Sequence, residues 1–253
     1  RKKHDNRFPI LAIQFCMEYA GISLDDVDVI TFYEKPFRKF ERIIKDSIVY
    51  APKSYDRFLK SVPIWLKERQ NMRKTIKKEL KEVYSRVKAD IRFVDHHLAH
   101  AANAYFLSPY QDAAILVLDA VGEDSTTSIY SVSNDKITLI QQQIYPNSIG
   151  LLYSAFTYFL GFKVNSDEYK VMGLAPYGNK DSEETKRFVS ITKDNLVEIH
   201  EDGGIVLNTK YFSFMYSDKM VNDKKWERLF GISKRNVGEE ITTSHKNLAL
   251  AIQ

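Results

Sequence analysis

The stretch that decides the fold reads IRFVDHHLAHAANAYF over residues 91–106, and AAILVLD follows over residues 113–119. The first piece passes from β-branched and aromatic residues into alanine-rich sequence. It predicts a short strand over residues 91–94 that delivers Asp95, then a helix over residues 96–106. Ser108-Pro109-Tyr110 breaks that helix. The second piece opens three consecutive strands at residues 113–118, 126–132 and 136–143, separated by short turns. Such a meander is usually antiparallel. Strand-to-helix alternation beside a meander points to an α/β chain with a boundary near Ser108.

Working outward, Asp5 or Asn6 can cap a helix with Pro9 in its first turn, and an apolar face including Cys16 runs on to Gly21. VDVITFY, residues 27–33, reads as a buried strand. About 50 residues of helical character follow, punctuated by Pro52 and Pro63. Met72, Ile76, Leu80, Val83 and Val87 then recur at helical spacing. The lysines and arginines concentrated over residues 53–88 therefore read as the solvated face of that helix, in preference to a nucleic-acid surface. Residues 149–160 predict an amphipathic helix, KVMGLAPYG at residues 170–178 a loop, and residues 247–253 a helix cut off early. Tyr211 to Phe214 and the segment near Trp226 fit no clear element.

Composition narrows the class. The chain has 253 residues, a net charge of +4 and one cysteine, Cys16. A disulfide framework is excluded, Cys16 reads as inert packing, and a cytoplasmic location is expected. No apolar run approaches the roughly 20 residues of a membrane span, and no signal peptide is expected. Both ends look like cuts.

Three of the six histidines fall within five positions. On a helix, His96 and His100 share a face and make a compact grip for a divalent metal. His97 and His100 pair at spacing three, so geometry leaves both pairings open. Asp95 is placed to orient an imidazole or to cap the helix. Asp119, at the end of an apolar strand, either completes a His/His/Asp site or forms the turn. Thr126 and Thr127 can offer hydroxyls or backbone donors to a phosphate. The KVMGLAPYG segment, with Lys170 and Gly173, can bring backbone close to a ligand or serve as a plain turn.

Beyond these residues, VDHHLAHAANAYFLSPYQDAAILVLDAVGEDSTTSIY resembles the N-terminal domain of the O-carbamoyltransferase family, the nodulation and antibiotic-tailoring type. RKKHDNRFP, GLLYSAFTYFLGF and EYKVMGLAPYG agree with it, in order along the chain. The resemblance implies an incomplete actin-like, ribonuclease-H-like fold with subdomains at residues 1–108 and 109–253. It implies His96, His100 and Asp119 as ligands to a divalent metal, Fe2+ in known cases. Lys3 and His97 become candidate catalytic residues, and Thr126, Thr127, Glu168, Lys170 and Gly173 candidate cofactor-binding residues. It implies ATP and carbamoyl phosphate as co-substrates, a small-molecule acceptor with a hydroxyl group, and a YrdC-like domain elsewhere in the full chain. The fragment alone is expected to be inactive and to bind metal weakly. No membrane partner is expected, nucleic acid is disfavoured, and a homodimer is compatible with the reading. Another actin-like kinase or metallohydrolase, or a basic binding module, is the alternative.

Overall fold

A computed structural model describes residues 7–68 and 71–253. In chain order the elements are α1 (Ile10–Ala20), β1 (Val29–Phe32), α2 (Pro36–Val49), α3 (Tyr55–Glu68), α4 (Met72–Lys81), β2 (Asp90–Phe93) and α5 (His96–Phe106). These are followed by β3 (Ala113–Gly122), β4 (Ser125–Ser133), β5 (Lys136–Ile144), α6 (Ile149–Phe159), α7 (Glu168–Leu174), α8 (Glu183–Ile191), β6 (Val197–Ile199), β7 (Ile205–Leu207), α9 (Asp223–Phe230) and α10 (Thr243–Ile252). The chain is mixed α/β. Among the described residues, no helix is long and apolar enough to cross a membrane.

β1 and β2 pair in parallel, with Val29 opposite Asp90 and Phe32 opposite Phe93. Their carboxyl ends therefore emerge side by side, which is where open α/β sheets place ligand sites. β3, β4 and β5 form the expected antiparallel meander. The register slips between Leu118 and Gly122. Asp119 thus sits in a bulge within β3, where the strand was expected to end. A bulge re-aims side chains and recurs beside functional sites.

Several expectations are corrected. β1 is not buried: Val29 and Tyr33 are exposed, because this sheet has only two strands among the described residues. The basic helix stops at Lys81, leaving Val83 outside it and exposed, while Ile76 and Leu80 are buried beneath it. Pro63 lies within α3 instead of ending a helix. Cys16 is exposed, because α1 buries Met17 and turns Cys16 outward. The KVMGLAPYG segment is helical through Leu174 and continues as a 3₁₀ turn, Ala175–Tyr177. Val171, Leu174 and Ala175 bury one face of it, and that burial overrides the local effect of Gly173 and Pro176. The proposed caps Asp5 and Asn6 lie outside the described residues. Among the described residues, the basic side chains between 53 and 88 largely face solvent or pair singly, as Lys60 does with Asp218 at 3.0 Å and Lys88 with Asp25 at 3.0 Å.

The main core lies in the second half. Trp226 is surrounded by Phe156, Phe159, Phe212 and Phe230, with ring centroids 4.9–5.9 Å away. α6 carries this core up to β3. A Cβ on Gly150 would fall 2.8 Å from the Ala120 backbone, so only glycine allows the helix to start this close to the strand. Ser148, fully buried, accepts the Leu151 N–H at 3.0 Å and lies 2.8 Å from the Ala120 carbonyl. Ser148→Ala removes both interactions. It is expected to cost about 1–2 kcal/mol, read as a lower denaturation midpoint with an unchanged slope.

Candidate metal centre

His96 and His100 project from one face of α5, and the Asp119 bulge faces them. One ligand atom from each residue lies within 4.8 Å of the other two. His96 Nε2 is 3.1 Å from His100 Nε2 and 3.2 Å from Asp119 Oδ2. Donors bonded to one transition-metal ion at about 2.0–2.1 Å stand about 3.0–3.4 Å apart. Both spacings therefore fit edges of a coordination polyhedron. The nitrogen and carboxylate donor set suits Fe2+, Zn2+ and their neighbours.

The protonation chemistry agrees. His96 Nδ1 lies 3.2 Å from the Tyr33 carbonyl, an obligate acceptor. Nδ1 must therefore carry the proton, and in the neutral ring Nε2 keeps its lone pair toward His100 and Asp119. A hydrogen bond from the protonated ring to Asp119 raises the His96 pKa, and the same bond holds the Asp119 carboxyl below its ordinary value. His100 is exposed, which leaves the centre open on one side.

Asp95 does not orient an imidazole. Its carboxylate pairs with Lys35 Nζ at 2.7 Å and Arg38 at 2.8 Å. Partial burial opposes ionisation, but these two cations outweigh it and lower the Asp95 pKa. The imidazole's acceptor is the Tyr33 carbonyl, a backbone group that side-chain patterns do not reveal. His97 turns inward. It is 2% exposed, its Nδ1 lies 2.7 Å from Ser128 Oγ, and its Nε2 has no hydrogen-bond partner among the described residues. Burial lowers its pKa, so it is held neutral.

The other predicted residues divide. Glu168 borders a cleft of about 380 Å³ whose walls also include Leu118, Asp119, Ile149, Ser154 and Met172. Its Oε1 accepts the Asn165 N–H at 2.7 Å and the Ser154 hydroxyl at 3.1 Å. Thr126 does not offer a hydroxyl to a ligand: it is fully buried and hydrogen-bonds the Asn147 and Gln143 carbonyls. Thr127 is half-buried in β4, opposite Leu118 on one side and Gln143 on the other. Lys170 pairs with Asp167 at 3.0 Å, and Gly173 is exposed on α7. Neither borders the cleft. Lys3 lies outside the described residues.

Comparison with known proteins gives this geometry a family. A family model described as the carbamoyltransferase N-terminus matches residues 1–253. An uncharacterized protein of Synechocystis sp. is 42% identical over 256 residues, covering 100% of this chain and 40% of that protein. Nodulation protein NolNO of Sinorhizobium fredii is 28% identical over 253 residues, covering 100% of this chain and 33% of NolNO. Nodulation protein NolO of Bradyrhizobium diazoefficiens is 37% identical over 91 residues, 35% of this chain and 16% of NolO. The chain thus spans 40% or less of the length of these relatives. Because the family model matches this chain along residues 1–253, the chain belongs to the carbamoyltransferase N-terminal family.

Proposed function

We propose that the chain is the acceptor-side part of an O-carbamoyltransferase, with a divalent cation, Fe2+ as first choice, held by His96, His100 and Asp119. The observation that carries this reading is the junction of those three donors with the cleft, since Asp119 belongs to both. In the reaction, an acceptor hydroxyl attacks the carbonyl carbon of carbamoyl-adenylate. The acyl–phosphate C–O bond breaks, AMP leaves, and the hydroxyl proton passes to a base. The cation, when bound, supplies Lewis-acid charge toward the acyl or phosphoryl oxygens.

The chain's own residues bind and orient. Glu168, fixed by Asn165 and Ser154, presents a carboxylate to hydroxyl groups entering the cleft. Leu118, Ile149 and Met172 form the apolar part of the cleft wall. His97 is too deep to reach an acceptor hydroxyl and instead pins α5 to β4 through Ser128. Carbamoyl-adenylate, formed from ATP and carbamoyl phosphate, comes from a YrdC-like domain outside these residues. The actin-like arrangement, divided near Ser108, belongs to the same reading.

The test uses the full-length protein with ATP, carbamoyl phosphate and a panel of hydroxylated acceptors, followed by mass spectrometry. Carbamoylated product is expected from the wild type. In His96→Ala/His100→Ala, carbamoyl-adenylate should still form while transfer is lost. Undiminished transfer by that variant refutes the reading.

A further inference from the structure

Glu123 occupies the turn between β3 and β4 with φ of 51°, a left-handed backbone that non-glycine residues seldom adopt. Its side chain ends in a carboxyl group, yet Glu123 is only 3% exposed. A buried carboxylate on a strained backbone calls for a specific partner. It has two. One oxygen accepts the Lys35 backbone N–H, and the other accepts the His96 backbone N–H at 3.4 Å. Those contacts reach across the molecule to two separate segments. His96 is the first residue of α5, and the preceding Asp95 side chain does not cap the helix because Lys35 and Arg38 engage it. Glu123 therefore supplies the anion at the α5 N-terminus from the opposite side. Lys35 follows the strand whose end offers the Tyr33 carbonyl to the His96 ring. Gly122 completes the arrangement. A Cβ there would lie 2.4 Å from His96 Cδ2 and 2.8 Å from Cγ, so the imidazole rests directly on the Gly122 backbone. Asp119 stands three residues earlier on the same strand.

We infer that Glu123 is a positioning residue: the Gly122–Glu123 turn fixes the His96 ring against Asp119 so that the two donors meet one cation. The inference rests on the metal-centre reading. Its test is a Co2+ titration of the full-length protein, followed by visible absorption. Glu123→Ala is expected to weaken Co2+ binding about 10–100-fold, the usual cost of losing an outer-shell partner, and to alter the absorption bands. Glu123→Gln keeps one accepting oxygen and should fall between the two. Gly122→Ala, whose methyl displaces the ring, should shift the bands as well. A residue that merely supports the fold would lower the melting temperature and leave affinity and bands unchanged. Wild-type affinity and bands in folded Glu123→Ala overturn the inference. Should that variant not fold, the same result in Glu123→Gln overturns it. Wild-type Co2+ binding that persists in His96→Ala/His100→Ala overturns the metal reading, and this inference with it.

Discussion

Alanine at both His96 and His100 is expected to abolish tight divalent-metal binding while the protein stays folded. The double change removes two of the three donors that the described residues bring together. Losing one outer-shell partner already costs about 10–100-fold in metal affinity, so losing two direct donors should exceed that range. The effect on stability should be modest, about 1–2 kcal/mol, chiefly from the lost His96 packing and hydrogen bond. The His100 ring stands in the open, whereas the His96 side chain is only 19% exposed and its Nδ1 bonds to the Tyr33 carbonyl. His97→Ala is the informative contrast. Its ring fills a buried position and bonds to Ser128, so truncation leaves a cavity and an unpaired hydroxyl. About 2 kcal/mol of stability should be lost, with all three donors retained. Co2+ titration beside urea denaturation separates the pair: His96→Ala/His100→Ala loses the metal, whereas His97→Ala loses stability and keeps it. Retention of one tightly held ion by His96→Ala/His100→Ala would end the assignment.

That contrast also shows what the sequence could reveal. Helical periodicity puts His96 and His100 on one face, and the structure gives the pairing that spacing alone left open between His100 and its two neighbours. The meander and the strand before α5 were legible because strand-forming stretches rich in β-branched residues alternate with turn residues. Asp119 was legible as a residue but not as a bulge, since a register slip depends on the partner strand. Glu123 and the Tyr33 carbonyl were not legible at all. One is an acid in a turn, next to a second acid at Asp124, the other a backbone atom, and both act over long sequence separations. The same reason explains the error over residues 170–178. Local composition argued for a loop, and only the burial of Val171 and Leu174 against the main core makes the segment helical. Glu168 reaches the cleft because that helix forms.

Trp226→Ala is expected to produce the largest loss of stability, about 3–5 kcal/mol, through the cavity left by an indole. Trp226 is fully buried, four phenylalanine rings surround it, and its Nε1–H donates to the Tyr211 carbonyl at 3.0 Å. Those rings come from α6, α9 and the segment before β-bridge residue Val221, so one side chain ties together elements far apart in sequence. Collapse into the gap would have to move several elements at once, which places the site at the costly end of the range. Trp226→Phe separates packing from hydrogen bonding. It refills part of the volume but leaves the Tyr211 carbonyl without its donor, and should cost less, about 1–3 kcal/mol. Urea denaturation of all three proteins gives the order directly, and a Trp226→Ala midpoint equal to wild type would mean that this cluster does not anchor the fold. The same core carries the start of α6, where Ser148 and Gly150 meet the Asp119–Ala120 backbone. No metal donor touches Trp226, so Co2+ affinity measured well below the denaturation midpoint should match the wild type. Weakened affinity there, in a folded Trp226→Ala, would instead mean that the aromatic core sets the position of Asp119 through α6.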